Sequence, residues 1–277
     1  MKRSLFLLAF LMLMPVLAGA QQVTFSMKAP PEGTTRAVVD SMELIFIISV
    51  NMEGEEQSFN VMQAWKKAYV ETILAVEGTN IMKRSVAFTE ASERGTQPMQ
   101  ESIVKALPIK GKSYLLEFIG DSLAVTGEDG SIVSEEEHRE LAGRFRKKSD
   151  GQFGSILDGR TMSIGEEVEL TDDMLQQFGS DLTRGPMKPK TAKIKLVSLG
   201  ESQGMKTALL DITVSMAGAQ GIMEMEFTMK GTAEIGVDNL WPLALIMTGT
   251  VSGAGSHSGM PLTADGDMRM ALIATYK

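Results

Sequence analysis

The dominant periodicity along this chain is two. From Lys206 to Met216, one set of alternate positions is Ala208, Leu210, Ile212, Val214 and Met216; the other is Thr207, Leu209, Asp211, Thr213 and Ser215. From Ile222 to Lys230 the division is sharper, with Met223, Met225, Phe227 and Met229 alternating against Glu224, Glu226, Thr228 and Lys230. The segment from Asp267 to Tyr276 collects Met268, Met270, Leu272, Ala274 and Tyr276 on one side. Successive strand side chains point to opposite faces, so this alternation predicts strands with one buried and one wetted face. Antiparallel sheets present such half-solvated surfaces, whereas parallel ones are covered on both sides.

Other segments carry weaker or mixed patterns. Leu44 to Ile48 is a continuous apolar run, and Tyr114 to Thr126 is a further extended segment. Phe59 to Val76 fits two periods. Met62, Trp65, Tyr69 and Ile73 align on a helix, yet the second half is rich in β-branched residues and ends at Glu77-Gly78-Thr79-Asn80, which predicts a hairpin with Ile81 to Thr89. Turns are expected at Gly200 to Gly204, Met216 to Gly221 and Gly253 to Gly259, at the Asp129-Gly130 pair, and at Asp265-Gly266-Asp267 before the last strand. Helix signals are few. Ser134-Glu135-Glu136-Glu137 is a capping box, and the helix it opens should pass through His138, Leu141 and Phe145 and stop near Gly151. A shorter helix is expected from Thr171 to Gly179, followed by a loop at Arg184 to Pro189. The fold class is therefore mainly β (α+β): a large curved antiparallel sheet with a few short helices. It is either one continuous sheet or two β-rich halves, residues 21–150 (with the helix near 135–148) and 151–277.

The first residues follow a different logic. Lys2 and Arg3 are followed by the apolar stretch Leu5 to Leu17, interrupted by Pro15, and then by Ala18-Gly19-Ala20. A charged start, an apolar middle and small residues before a cut are the parts of a secretory signal peptide. Cleavage is expected after Ala20, leaving Gln21 as the new terminus and placing the mature chain in the periplasm or outside the cell. The stretch is short for a hydrocarbon layer of about 30 Å, and no second apolar span follows it, so no integral membrane segment is expected after signal removal. The chain has no cysteine. It can therefore carry neither a lipidated N-terminal cysteine nor disulfides, and stability must come from an apolar core.

Charge and chemistry then narrow the function classes. A formal net charge of −8 disfavours a nucleic-acid partner, which requires clustered cations. The basic run from Arg144 to Lys148 suits a helix end, where cations complement the macrodipole. Gly120-Asp121-Ser122-Leu123 resembles the nucleophile block of the GDSL esterases, which would make Ser122 a catalytic serine. That family's Asp-x-x-His pair and Gly-x-Asn-Asp block have no counterpart: residues 254–256, before His257, are Ala-Gly-Ser, and Gly236-Val237-Asp238-Asn239 has the wrong order. A serine without a positioned base is not activated. The two histidines, His138 and His257, form no zinc-binding pattern, and Asp265-Gly266-Asp267 lacks the other ligands of a calcium loop. No metal site and no cofactor are expected on these grounds.

Methionine is the compositional anomaly, at 21 residues. The pairs Met223/Met225 and Met268/Met270 could offer soft thioethers to Cu(I) in an exported protein. Residues two apart on a strand also share a face, where methionine fills irregular apolar space. The same residues, with Phe227, Met229 and Leu272, form the candidate surface for an apolar ligand, because methionine-rich surfaces adapt to variable partners.

Leu157-Asp158-Gly159-Arg160, Ile164-Gly165-Glu166, Ala192 to Leu199, Leu209 to Val214 and Gly231 to Asp238 follow one another in a leader-bearing, β-rich chain. In this layout the chain resembles exported bacterial β-rich proteins of unknown function, and is similar to the LolA/LppX type of periplasmic carrier. That resemblance implies a curved antiparallel sheet, helices closing its concave side and an acyl-chain cavity. The sequence thus favours an exported, non-enzymatic binding or structural module with an apolar, lipid-like ligand face at Met223, Met225, Phe227, Met229, Met268, Met270 and Leu272. A GDSL-like esterase using Ser122 and methionine-based Cu(I) binding are the alternatives.

Overall fold

The computed structural model describes residues 21–52, 55–96, 102–145, 153–176 and 188–277. Its strands, in chain order, begin with β1 (Gln22–Thr24), β2 (Thr35–Met52), β3 (Glu55–Glu77), β4 (Asn80–Gly95), β5 (Ile103–Ala106), β6 (Ser113–Ile119) and β7 (Ser122–Gly127). Helices α1 (Glu135–Phe145) and α2 (Gly154–Leu157) follow. The chain then forms β8 (Thr161–Ser163), β9 (Glu167–Glu169), β10 (Lys188–Ser202), β11 (Met205–Gln220), β12 (Met223–Gly236), β13 (Pro242–His257) and β14 (Met260–Tyr276). A 12-stranded antiparallel sheet runs in the order β7-β6-β4-β3-β2-β14-β13-β12-β11-β10-β9, with β5 paired to β4 and open edges at β7 and β9. β1 and β8 form a separate ribbon. The seam is β14 against β2, an unbroken register from Leu262 opposite Val50 to Tyr276 opposite Arg36, which joins the early and late strands in one sheet.

Several local expectations are corrected. Phe59 to Val76 lies entirely within β3, whose second half forms the expected hairpin with Ile81 to Thr89 in β4; pairing with β2 and β4 overrides the helical alignment of Met62, Trp65, Tyr69 and Ile73. Tyr114 to Thr126 is not one extended run: the chain reverses at Gly120, whose φ of 61° suits glycine, and β6 and β7 pair as a hairpin. The expected turns at Met216 to Gly221 and Gly253 to Gly259 shrink to their ends, because β11 continues to Gln220 and β13 to His257. Asp265-Gly266-Asp267 lies inside β14 and turns nothing. The capping box at Ser134 is formed: the Ser134 amide donates to Glu137 Oε2 at 2.8 Å, and the Glu137 amide donates to Ser134 Oγ at 3.3 Å. Residues 172–176 are helical. The ends expected near Gly151 and Gly179, residues 146–148 of the basic run and most of the Arg184 to Pro189 loop lie outside the described residues.

Period-two burial defines an inner face. It carries Val38, Leu44 and Phe46 of β2, Val61 and Tyr69 of β3, and alternate apolar positions of β10 to β14, in one core cluster with Leu141 and Phe145 of α1 and Ile156 and Leu157 of α2; Ile73 of β3 is also buried on this face. Where α1 covers the sheet, the inner face is also charged. Glu71 accepts from Arg36 Nε at 2.7 Å and from Arg84 Nη1 at 2.8 Å, all three residues being buried. Lys67 reaches Glu140 of α1 at 2.6 Å, and Arg144 donates to the Tyr69 hydroxyl at 2.9 Å. Burial pushes the Tyr69 hydroxyl pKa up, against the pull of the neighbouring Arg144 guanidinium. Such a network satisfies polar groups that would otherwise be costly to bury, and it fixes where α1 docks.

Candidate ligand-binding face

Away from α1 the inner face becomes apolar, and the residues singled out in the sequence lie there. Met223, Met225, Phe227 and Met229 of β12 and Leu272 of β14 are buried, while Met268 and Met270 of β14 are partly buried against the same core. The two groups are not on adjacent strands, because β13 runs between them. Its inner positions include three glycines: Gly255, Gly253 and Gly249 lie opposite Met223, Met225 and Met229, whereas Met247 lies opposite Gly231. On the other side Gly249 pairs with Met268, Met247 with Met270, and Val251 with Gly266.

The result is a patchwork in which Met223, Met225, Met229 and Met268 are each faced across the strand by a glycine, while Met247 and Met270 face each other. Met229 and Met268 flank Gly249, so no side chain separates them. The glycines sit at points of close approach. A Cβ on Gly253 would come within 2.4 Å of Met225 Sδ, showing that this thioether lies over the glycine backbone. A Cβ on Gly266 would meet the Ile45 carbonyl oxygen at 2.1 Å and Phe46 Cα at 2.4 Å. The inner wall is therefore built from flexible thioethers over bare backbone. Such a wall can change shape by rotating methionine side chains without moving strands.

The row beginning at Met247 leads outward. Met247 pairs with Met270, Met270 with Met42, Met42 with Trp65, Trp65 with Glu93, and Glu93 with Lys105 of β5. At its end lies a surface cavity of about 460 Å³ lined by Met42, Gln63, Trp65, Glu93, Ile103 and Lys105, among others. Trp65 is half-buried and holds Lys67 Nζ at 5.9 Å from its ring centroid, while Ile103 is 64% exposed at the rim. Lys105 lies 3.6 Å from Glu93 and 3.9 Å from Glu136 of α1, which places the helix start beside the opening. Met42, Trp65 and Ile103 were missed by sequence reasoning. Met42 falls outside the apolar run at Leu44, Trp65 sits in the segment with two periods, and Ile103 belongs to a four-residue strand too short to show any.

The remaining sequence candidate is separate from this face. Ser122 is exposed at the start of the edge strand β7, paired with Ile119, and makes no hydrogen bond to His138 or His257 among the described residues. Those residues also contain no group of three or more His, Cys, Asp or Glu able to hold a metal, and no helix long and apolar enough to cross a membrane.

No protein family matches the chain, and no curated protein does. Among solved structures, one of lipid–protein interactions in lipovitellin is similar over 88% of this chain, with 7% identity and a TM-score of 0.42. This chain spans 25% of the length of that one. DynF, from the dynemicin biosynthesis pathway of Micromonospora chersina, aligns over 92% of this chain and 86% of its own, with 10% identity and a TM-score of 0.23. Likenesses this distant do not bear on function.

Proposed function

We propose that the mature chain is an exported, non-enzymatic binding protein that carries an apolar, lipid-like ligand on the inner face of its sheet. The observation that carries this reading is the row Met247–Met270–Met42–Trp65, which runs from the methionine-lined interior into the cavity of about 460 Å³ beside β5. Ligand sites are typically concave, mostly apolar and of a few hundred Å³, with a few polar groups at the rim. Lys105 and Gln63 provide such groups here. The acyl portion of the ligand would lie along Met42 and Met270 toward Met268 and Met229, and a polar end would remain at Lys105. The leader at residues 1–20 supports export, and a cleaved chain would meet its ligand in the periplasm or outside the cell.

The test uses the cleaved chain beginning at Gln21, with a fluorescent fatty acid such as cis-parinaric acid and mass spectrometry of co-purified lipids. Saturable binding is expected. Ile103→Asp, which places a charge at the rim, should weaken it at least tenfold while leaving the urea midpoint within experimental scatter. Absence of both saturable binding and co-purified lipid sinks the proposal.

A further inference from the structure

Adjoining that cavity and sharing Met42, Ala64, Trp65 and Arg94 with it, a second depression of about 430 Å³ is lined on the outer face by Ser41, Glu43, Lys66, Ser92, Arg269 and Ala271, among others. Two adjacent cross-strand rows build it. One reads Arg269, Glu43, Ala64, Arg94, and the other Ala271, Ser41, Lys66, Ser92, across β14, β2, β3 and β4. The floor consists of four small, half-buried residues, Ser41, Ala64, Ser92 and Ala271; the Ser92 hydroxyl is held by Glu90, which leaves that of Ser41 facing the depression. The rim carries three cations against one carboxylate, Glu43.

None of these cations is held in an ion pair among the described residues. Among the described residues Lys66 and Arg269 make no hydrogen bond or ion pair, and Arg94 uses only Nε, toward Ser102 Oγ at 2.5 Å. Nearby, Glu90 pairs with Lys110 at 3.1 Å and also feels the charge of Lys66, with which it makes no ion pair. A positive depression on a chain of net charge −8 is a local reversal of sign. A second feature adjoins it. Ala271 pairs with Ile246, Val39 pairs with Ile273, and these three large aliphatic residues stand 40%, 42% and 48% exposed respectively for Ile246, Val39 and Ile273.

We infer that this outer cradle binds the oxyanion head of an amphiphile, a phosphate-type group held by Lys66, Arg94, Arg269 and the Ser41 hydroxyl, with its aliphatic part along Val39, Ile246 and Ile273. Guanidinium and ammonium groups recognise such oxygens through charge-assisted hydrogen bonds. The aliphatic strip gives this ligand an advantage over a free anion, because covering exposed apolar surface adds a contribution that phosphate alone lacks.

The discriminating experiment is calorimetric titration of the mature chain with monomeric octyl phosphate, inorganic phosphate and octyltrimethylammonium. Octyl phosphate should bind saturably, at least tenfold more tightly than inorganic phosphate, and the cationic amphiphile should not bind. Lys66→Gln and Arg269→Gln should each weaken octyl phosphate at least fivefold with unchanged circular dichroism and urea midpoint, whereas Ile103→Asp should leave it intact. Equal affinity for inorganic phosphate would place a free anion in the cradle and overturn the amphiphile. Wild-type binding by both cation variants, or loss through Ile103→Asp alone, would assign the ligand to the inner face and overturn the outer site. Failure of the inner-face fatty-acid test leaves these outcomes unaffected.

Discussion

At the scale of single residues, the methionine excess and the strand glycines are one feature. Each inner glycine of β13 faces a methionine of β12, so the long side chain occupies the space that the missing one leaves. The two kinds of glycine contact should respond differently to substitution. At Gly253 an alanine Cβ meets the mobile end of Met225, whereas at Gly266 it meets the backbone of β2. Gly266→Ala is therefore expected to cost about 2–3 kcal/mol, in the range of overpacked sites, and Gly253→Ala less than about 1 kcal/mol. Urea denaturation of both variants checks this, and equal losses would contradict the assignment of which contact is rigid.

At the scale of elements, α1 shows how a short helix is fixed to a sheet by polar contacts. Glu137 closes the capping box and also accepts from Lys112 Nζ and the Tyr114 hydroxyl, each at 2.7 Å. The Lys112 hydrogen bond, followed by that from Ser134, holds its carboxyl down to about 2 from an ordinary 4.5. Burial, followed by the bond to Glu137, pushes the Tyr114 hydroxyl up. A carboxylate with a depressed folded-state pKa stabilises fully above its unfolded value, and that contribution is lost as pH falls toward the folded value. Glu137→Gln should therefore cost on the order of 1–3 kcal/mol near neutral pH. The difference from the parent chain should shrink between about pH 4.5 and about pH 2. Stability curves across that window decide it; a difference independent of pH would show that Glu137 acts by shape alone. The capping box was legible in the sequence because its partners are three residues apart. Lys112 and Tyr114 were not, since they reach Glu137 from β6 and the turn before it.

At the scale of the whole molecule, the β14–β2 seam makes the last strand a central one. Its register with β2 extends over the full length of β14 from Leu262, and β13 covers its other edge. Hydrogen exchange should therefore be slowest in β13, β14 and β2 and fastest at β5, β7 and β9, which are short or lie at an edge. Exchange in two separate blocks, divided between residues 21–145 and 188–277, would show that the seam does not couple them.

Alternation by itself determined that the chain is built of antiparallel strands with one apolar face, because a period of two follows from strand geometry and needs no partner. It also placed Met223, Met225, Phe227, Met229, Met268, Met270 and Leu272 on buried or partly buried inner positions. Only the tertiary structure decided that β13 separates the two methionine groups, that Gly253, Gly255 and Gly266 continue strands instead of turning them, and that the methionine row opens beside Trp65 and Ile103. Those outcomes depend on which strand lies next to which and in what register. Hydrogen bonding across long sequence separations sets both, and local composition carries no record of it.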